Sequence, residues 1–157
     1  MSRPNWDNYF MKIAFVTAER STCNRHHVGA VIVKDRRILT GGYNGAPAGL
    51  PDCLELGCLR DAASIPSGER TEVCRAVHAE ENAIIQGAIY GLSLKGSTIY
   101  CTHSPCRRCA KMLCNLGIKR FVACFEYDDS VFTDLFKAVG ISFHVLPLLT
   151  TTVEVLK

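Results

Sequence analysis

Hydrophobic positions along this chain recur with two periods, and each period predicts a different element. Trp6, Phe10, Ile13 and Thr17 fall at helical spacing and predict an amphipathic helix over 5–19. Residues 28–34 (Val-Gly-Ala-Val-Ile-Val-Lys) form an apolar run that ends at Asp35-Arg36-Arg37. A second run over 38–43 then predicts a β-hairpin. Over 44–77 both periods are lost and Gly, Pro and Ser abound; an irregular stretch of that length is functional or locally stapled. Beyond it the pattern predicts helix 79–90 (stopped at Gly91), strand 97–102, helix 105–115, strand 118–124, helix 131–139 and strand 141–146. Strands separated by helices imply right-handed crossovers and parallel pairing. The expectation is one α/β domain over 1–157, a three-layer α/β/α architecture with a five-stranded mixed sheet and no internal repeat.

Composition narrows the function classes. The chain has 157 residues, 48% hydrophobic and 21% charged, which suits an ordinary globular domain with a proper core. Net charge of +3 and a pI near 8.4 fall short of the profile of a nucleic-acid binder. Residues Met1 to Asp7 carry no apolar signal core, and no run of about eighteen apolar residues exists, so a soluble, cytoplasmic protein without a membrane partner is expected. Nine cysteines in such a setting suggest metal more than disulfides. Cys101, Cys114 and Cys124 lie in apolar segments and are expected to be inert core residues.

The chemistry is carried by His78-Ala79-Glu80 and Pro105-Cys106-Arg107-Arg108-Cys109. Catalytic zinc takes three protein ligands and leaves one position open, and His78, Cys106 and Cys109 supply three. Two thiolates offset the ion's double charge. Zinc held this way lowers the pKa of a water in the fourth position toward neutrality. Glu80 need not bind metal and can take that proton and deliver it to a leaving nitrogen. Ser104-Pro105 predicts the helix start, with Ser accepting a free backbone N–H and Pro at the first helical position. Cys106 and Cys109, three apart, then share a face, and the helix N-terminus favours their thiolates. His78 and Glu80 are two residues apart, so Glu80 must lean back toward the metal, which spacing alone leaves open. Both helix starts are expected at one edge of the sheet. A Cys-x-x-Cys alone could be a redox pair or half of a structural zinc site. The accompanying His-x-Glu and the absence of a thioredoxin-like context favour catalytic zinc. His-x-Glu followed by Pro-Cys-x-x-Cys matches the described signature of zinc nucleobase deaminases.

On these residues the chain resembles the cytidine deaminase superfamily, and within it the deoxycytidylate (dCMP) deaminase branch that includes late-competence deaminase-like proteins. The resemblance covers about residues 5–146. It also rests on Arg20-Ser21-Thr22-Cys23, on Val28 to Val33, on Gly42-Tyr43-Asn44-Gly45-Ala46-Pro47-Ala48-Gly49 and on Cys74-Arg75-Ala76-Val77. It implies a cytidine deaminase-like fold and hydrolysis of the amino group at C4 of dCMP. The products would be ammonia and dUMP, which feeds thymidylate synthesis; Glu80 would be the general acid/base. It implies that Asn44 holds the sugar, the alternative being an ordinary turn residue before Gly45. His103 would lie beside the base, or be a satisfied edge histidine; Tyr127 would stack on the pyrimidine, or pack in the core. A phosphate needs a cation, and Arg25 is the first choice with Arg20 second; surface solvation is the alternative for both. Family members are often hexamers regulated by dCTP and dTTP, so an allosteric homo-oligomer is expected, with Gly42, Tyr43, Asn44 and Gly45 in a regulatory-nucleotide loop. Other members of the branch suggest a second, structural zinc on Cys23, Cys53, Cys58 and Cys74, with His27 able to replace one; the alternative is free cysteines in a mobile loop. The same zinc chemistry serves a transfer-RNA adenosine deaminase, which the modest basicity and the cysteine-rich insert disfavour. A riboflavin-pathway deaminase is disfavoured because no second domain follows. A non-catalytic zinc-stabilised binding module would have no use for Glu80.

Overall fold

The computed structural model describes residues 3–127 and 131–147. Five strands form one sheet in the order β2-β1-β3-β4-β5. These are β1 (Gly29–Lys34), β2 (Arg37–Tyr43), β3 (Thr98–His103), β4 (Arg120–Phe125) and β5 (Ser142–Val145). β1 pairs antiparallel with β2 and β3, whereas β3–β4 and β4–β5 pair parallel, so the sheet is mixed as expected. The hairpin turn is only Asp35-Arg36, both at positive φ (50° and 60°), the twist that a two-residue turn between strands requires.

Helix α1 (Trp6–Ala18) covers one face of the sheet through Phe10, Met11, Ala14 and Phe15, against Val31, Val33, Tyr100 and Val122. Its buried stripe differs from the expected one: Trp6 and Thr17 are not in it, while Ala14 and Ala18 are. The cause is a close approach. A Cβ on Gly29 would lie 2.1 Å from the Ala14 carbonyl oxygen and 2.4 Å from the Ala18 nitrogen, so small residues must face β1. Asp7 pins the same helix to the sheet, accepting from both terminal nitrogens of Arg120 on β4 at 2.6 and 2.7 Å and from the Tyr100 hydroxyl on β3 at 2.7 Å.

The other face carries helices α4 (Ala79–Ile89), α5 (Arg107–Leu116) and α6 (Val131–Val139), which bury Ala79, Ala83, Ala110, Leu113, Phe132 and Phe136 against Ala30, Ile32, Ile99, Phe121 and Ala123. The three layers are thus those expected. The stretch 44–77 is more ordered than its pattern suggests: it contains short helices α2 (Cys53–Leu56) and α3 (Leu59–Ala62) and a 3₁₀ turn over Thr71–Val73. Four-residue helices are too short to show a period, which is why the pattern misses them. Cys101 is fully buried, but Cys114 and Cys124 are only half-buried. No helix among the described residues is long and apolar enough to cross a membrane.

Candidate active site

The site is assembled at the carboxyl end of β3, the central strand, and not at a lateral edge of the sheet. Gly45 and Val77 exchange backbone hydrogen bonds at 3.2 and 2.8 Å, which closes the insert and delivers the chain to His78. His78 is the N-cap of α4, with extended backbone (φ −70°, ψ 158°). The Glu81 carboxylate accepts its N–H at 2.9 Å and also a bond from Arg108 of α5 at 2.7 Å. Glu81 therefore ties together the two helix starts that carry the ligands. It lies three residues after the N-cap, the capping-box spacing, and that was the signal in the sequence that could have found it.

On the other side, Cys106 is the N-cap of α5 (φ −71°, ψ 164°) and the helix begins at Arg107. The expected start at Ser104-Pro105 is therefore two residues early. The Ser104 hydroxyl is used elsewhere, accepting the Tyr127 N–H at 2.8 Å, while the Ser104 N–H donates to the Phe125 carbonyl at 2.7 Å. Cys106 Sγ and Cys109 Sγ each lie 3.5 Å from His78 Nδ1. The three ligand atoms are within 4.8 Å of one another, the only group of three or more His, Cys, Asp or Glu ligand atoms so gathered among the described residues. One imidazole and two sulfurs, with a fourth position left open, fit zinc. A hydrogen bond from Cys109, then one from His78, pulls the Cys106 thiol well below its usual range, whereas that Cys109 bond and burial push Cys109 up.

Glu80 sits in the first turn of α4, buried. Burial pushes its carboxyl up to about 7, with the positive field of His78 opposing. A carboxyl of that kind can take and give a proton near neutral pH. His103, which ends β3, stacks on Tyr127 (centroids 5.2 Å apart, 23° between planes), and His26 meets both rings edge-on at 6.1 Å. Burial, and then His26, pushes His103 down to about 4, so it is neutral at pH 7. Burial likewise pushes the Tyr127 phenol up. This aromatic group unites two expected residues, His103 and Tyr127, with His26, which pattern reasoning missed.

Other expected site residues are held by the protein itself. The Asn44 amide is buried: its Oδ1 accepts from the Ser21 hydroxyl at 2.6 Å and the Val28 N–H at 2.8 Å, and its Nδ2 donates to the His26 carbonyl at 2.8 Å. Arg25 is turned into the insert, donating to Asp61 at 2.7 Å and to the Ile65 carbonyl at 2.7 Å, while its remaining terminal nitrogen is buried. Arg20 is exposed. Gly42 faces α4, where a Cβ would meet the Ala79 oxygen and the Ala83 nitrogen at 2.4 Å. The Tyr43 carbonyl accepts from Asn82 of α4 at 2.7 Å. Cys23, Cys53 and Cys58 are buried and Cys74 is half-buried. Burial, then Cys23, Cys74 and Cys58, pushes the Cys53 thiol up, so all four sulfurs share one neighbourhood, though a looser one than the His78 group. Backbone N–H groups of Arg25 and Ala76 donate to the sulfurs of Cys23 and Cys74, each two residues earlier, at 3.4 and 3.5 Å. His27 is exposed.

Residues 4–125 match the cytidine and deoxycytidylate deaminase zinc-binding region. The chain is 37% identical over 143 residues to the deoxycytidylate deaminase of Schizosaccharomyces pombe, covering 90% of this chain but only 44% of that one. It is 44% identical over 127 residues to the deoxycytidylate deaminase of Mycobacterium phage D29, covering 78% of this chain and 96% of the phage protein. The dCMP deaminase of cyanophage S-TIM5, solved in complex with dCMP and dUMP, superposes with a TM-score of 0.77 at 31% identity over 93% of this chain and 100% of that one. With the matching region spanning both ligand motifs and most of the sheet, the chain belongs to the cytidine and deoxycytidylate deaminase zinc-binding family.

Proposed function

We propose that this protein is a zinc-dependent hydrolase that converts dCMP to dUMP and ammonia. The observation that carries the reading is the convergence of His78, Cys106 and Cys109 beside Glu80, a buried carboxyl that is not a member of the ligand group. When bound, zinc acts as a Lewis acid that brings a water's pKa toward neutrality. Glu80 takes a proton from the water and gives it to N3 of the ring as the C4–O bond forms, then takes the proton of the new C4 hydroxyl and gives it to the amino nitrogen, which leaves as ammonia when the C4–N bond breaks. Neutral His103 stacked on Tyr127 offers a flat wall for the pyrimidine. Glu81 and Arg108 act as positioning residues, because their ion pair sets the distance between the two ligand-bearing helix starts.

Asn44 is a rigid element of the sugar pocket, and the second hydrogen on its Nδ2 has no partner among the described residues. Arg25 serves this reading as the clamp that ties the insert to the segment before β1, in place of the phosphate contact expected of it. A second, structural zinc on Cys23, Cys53, Cys58 and Cys74 is part of the proposal. The N–H-to-sulfur bonds at Cys23 and Cys74 support it, because such bonds stabilise thiolates in closed zinc sites. So are a cytoplasmic location, a homo-oligomer and regulation by dCTP and dTTP. The exposed Ile85 and Ile89 of α4, with Tyr90 at its C-cap, give the oligomer an apolar surface.

The test is ammonia release from dCMP, deoxycytidine and a transfer-RNA hairpin by the zinc-loaded protein. dCMP is expected to be the best substrate by a wide margin. Preference for deoxycytidine or for the hairpin overturns the substrate assignment, and no release from any of the three overturns the hydrolase reading.

A further inference from the structure

His26 is the member of the aromatic group that the proposed mechanism leaves without a task. It lies on the segment before β1, and both its backbone and its ring are held. The His26 carbonyl accepts from Asn44 Nδ2 at 2.8 Å, and ring Nε2 meets the Ser67 hydroxyl of the insert at 2.9 Å. The ring stands edge-on to His103 and Tyr127, each centroid 6.1 Å away. His26 is therefore bracketed by the residue proposed for the sugar and the wall proposed for the pyrimidine. The 5′-phosphate of a nucleotide is carried on the same face of the sugar as the base, so a side chain set between those two contacts lies in its path. A hydroxyl that donates to Nε2 leaves the ring hydrogen on Nδ1, and Nδ1 has no partner among the described residues.

The surroundings of the ring are positive. Arg60 of α3 is buried, 8% exposed, and forms no ion pair among the described residues. One of its terminal nitrogens donates to the Pro66 carbonyl at 2.7 Å, while its Nε is buried without a partner. Arg25, the chain neighbour of His26, also keeps one terminal nitrogen buried without a partner. A buried guanidinium that lacks a counter-ion is costly, and an anion brought near it relieves that cost. Burial, then the fields of Arg25 and Arg60, hold His26 below its ordinary range, so this imidazole faces cations.

On the dCMP reading given above, we propose that His26 is the residue that recognises the 5′-phosphate, donating its Nδ1–H to a phosphate oxygen inside the positive field of Arg25 and Arg60. The bond is charge-assisted, and deoxycytidine offers no acceptor for it. Arg25 keeps its clamp to Asp61 and Ile65 in this arrangement and acts through space, as does Arg60. Ser67 is a positioning residue, because its bond to Nε2 sets the direction of Nδ1. The insert thereby takes part in choosing the substrate, although it lies outside both ligand motifs.

The quantity to measure is the ratio of kcat/KM for dCMP to kcat/KM for deoxycytidine, on zinc-loaded protein. His26→Phe keeps a ring beside His103 and Tyr127 but removes the donor. His26→Asn removes the ring but keeps an N–H near the position of Nδ1. The ratio is expected to fall by about tenfold or more in His26→Phe and to stay within about threefold of wild type in His26→Asn. Calorimetry with the product reads binding without turnover, and His26→Phe should weaken dUMP by a similar factor. A ratio within about twofold of wild type in His26→Phe, whether both rates persist or both fall, overturns the phosphate contact. So does a ratio that falls as far in His26→Asn as in His26→Phe. A wild-type protein that does not prefer dCMP to deoxycytidine overturns the dCMP reading itself, and the contact with it.

Discussion

Gly42→Ala is the substitution that most directly tests how the fold holds the site. Gly42 lies in β2 opposite Ala30 of β1, with the start of α4 packed on it. An added Cβ would come to 2.4 Å from the Ala79 oxygen and 2.4 Å from the Ala83 nitrogen, against the 3.4 Å at which ordinary contact begins. Both neighbours are backbone atoms, so no side chain can swing away, and α4 must retreat by the difference, 3.4 − 2.4 = 1.0 Å. Overpacking of this kind costs about 1–3 kcal/mol. The functional effect should exceed the stability effect, because Ala79 stands between His78 and Glu80. A displacement of about 1 Å at reacting groups can cost on the order of 10²-fold in rate. Gly41→Ala is the control. Its nearest foreign atom is the Ala30 carbonyl oxygen at 3.6 Å, and its φ is not in the left-handed region. That variant should keep wild-type stability or gain about 0.5 kcal/mol from the lost freedom of the unfolded chain. Urea denaturation and dCMP turnover, measured on both variants with zinc content determined in parallel, decide the matter. A Gly42→Ala protein as stable and as active as Gly41→Ala would refute the packing argument and return Gly42 to a nucleotide-binding loop.

Glu80→Gln should retain its zinc by metal analysis and lose about 10²–10⁴-fold in turnover, since the amide is nearly isosteric but cannot carry a proton; near-native turnover would remove Glu80 from the mechanism. Arg120 beside Asp7 holds that carboxyl below its usual range. A depressed folded pKa means the pair stabilises the fold above the unfolded value of about 4 and loses that contribution as pH falls through the folded value. Asp7→Asn should therefore cost about 1–2 kcal/mol at pH 7 by urea denaturation and show a flatter acid limb than wild type, and identical limbs would deny the linkage. Cys53→Ser and Cys74→Ser should each lower zinc content from about two ions per chain to about one, with loosening of the insert in hydrogen exchange; unchanged metal content would eliminate the second site. Arg25→Ala should slow dCMP and deoxycytidine alike, because the clamp to Asp61 and Ile65 serves both; a loss confined to dCMP would place the guanidinium on the phosphate.

The order of helices and strands was legible because each long element shows its period in its own residues. The expected stripe on α1 failed where the reason was not local: Ala14 and Ala18 face the sheet because Gly29, on another element, lets the backbones approach. The short helices of the insert were invisible because four residues contain barely one turn. The ligand triad was legible at once, since zinc chemistry restricts residue type and spacing more tightly than packing does. The polar residues around it were recognised as belonging there, but what they hold within the protein was not legible. Ser104 was assigned to a helix cap and instead accepts the Tyr127 N–H, while Asn44 and Arg25, assigned to the sugar and the phosphate, also satisfy backbone or side-chain groups of the loops that converge at the end of β3. That outcome has a physical cause. Where several loops meet over a strand end, buried N–H and C=O groups accumulate beyond what the sheet ladder can pair, and each one left unsatisfied costs about 1–3 kcal/mol. Polar side chains are retained there first to pay that debt. Only those with a donor or acceptor left over, as the second hydrogen on Asn44 Nδ2 is, can then serve a ligand. A polar residue beside the motif is thus a candidate for substrate contact only after its loop partners have been counted, and that count requires the three-dimensional structure.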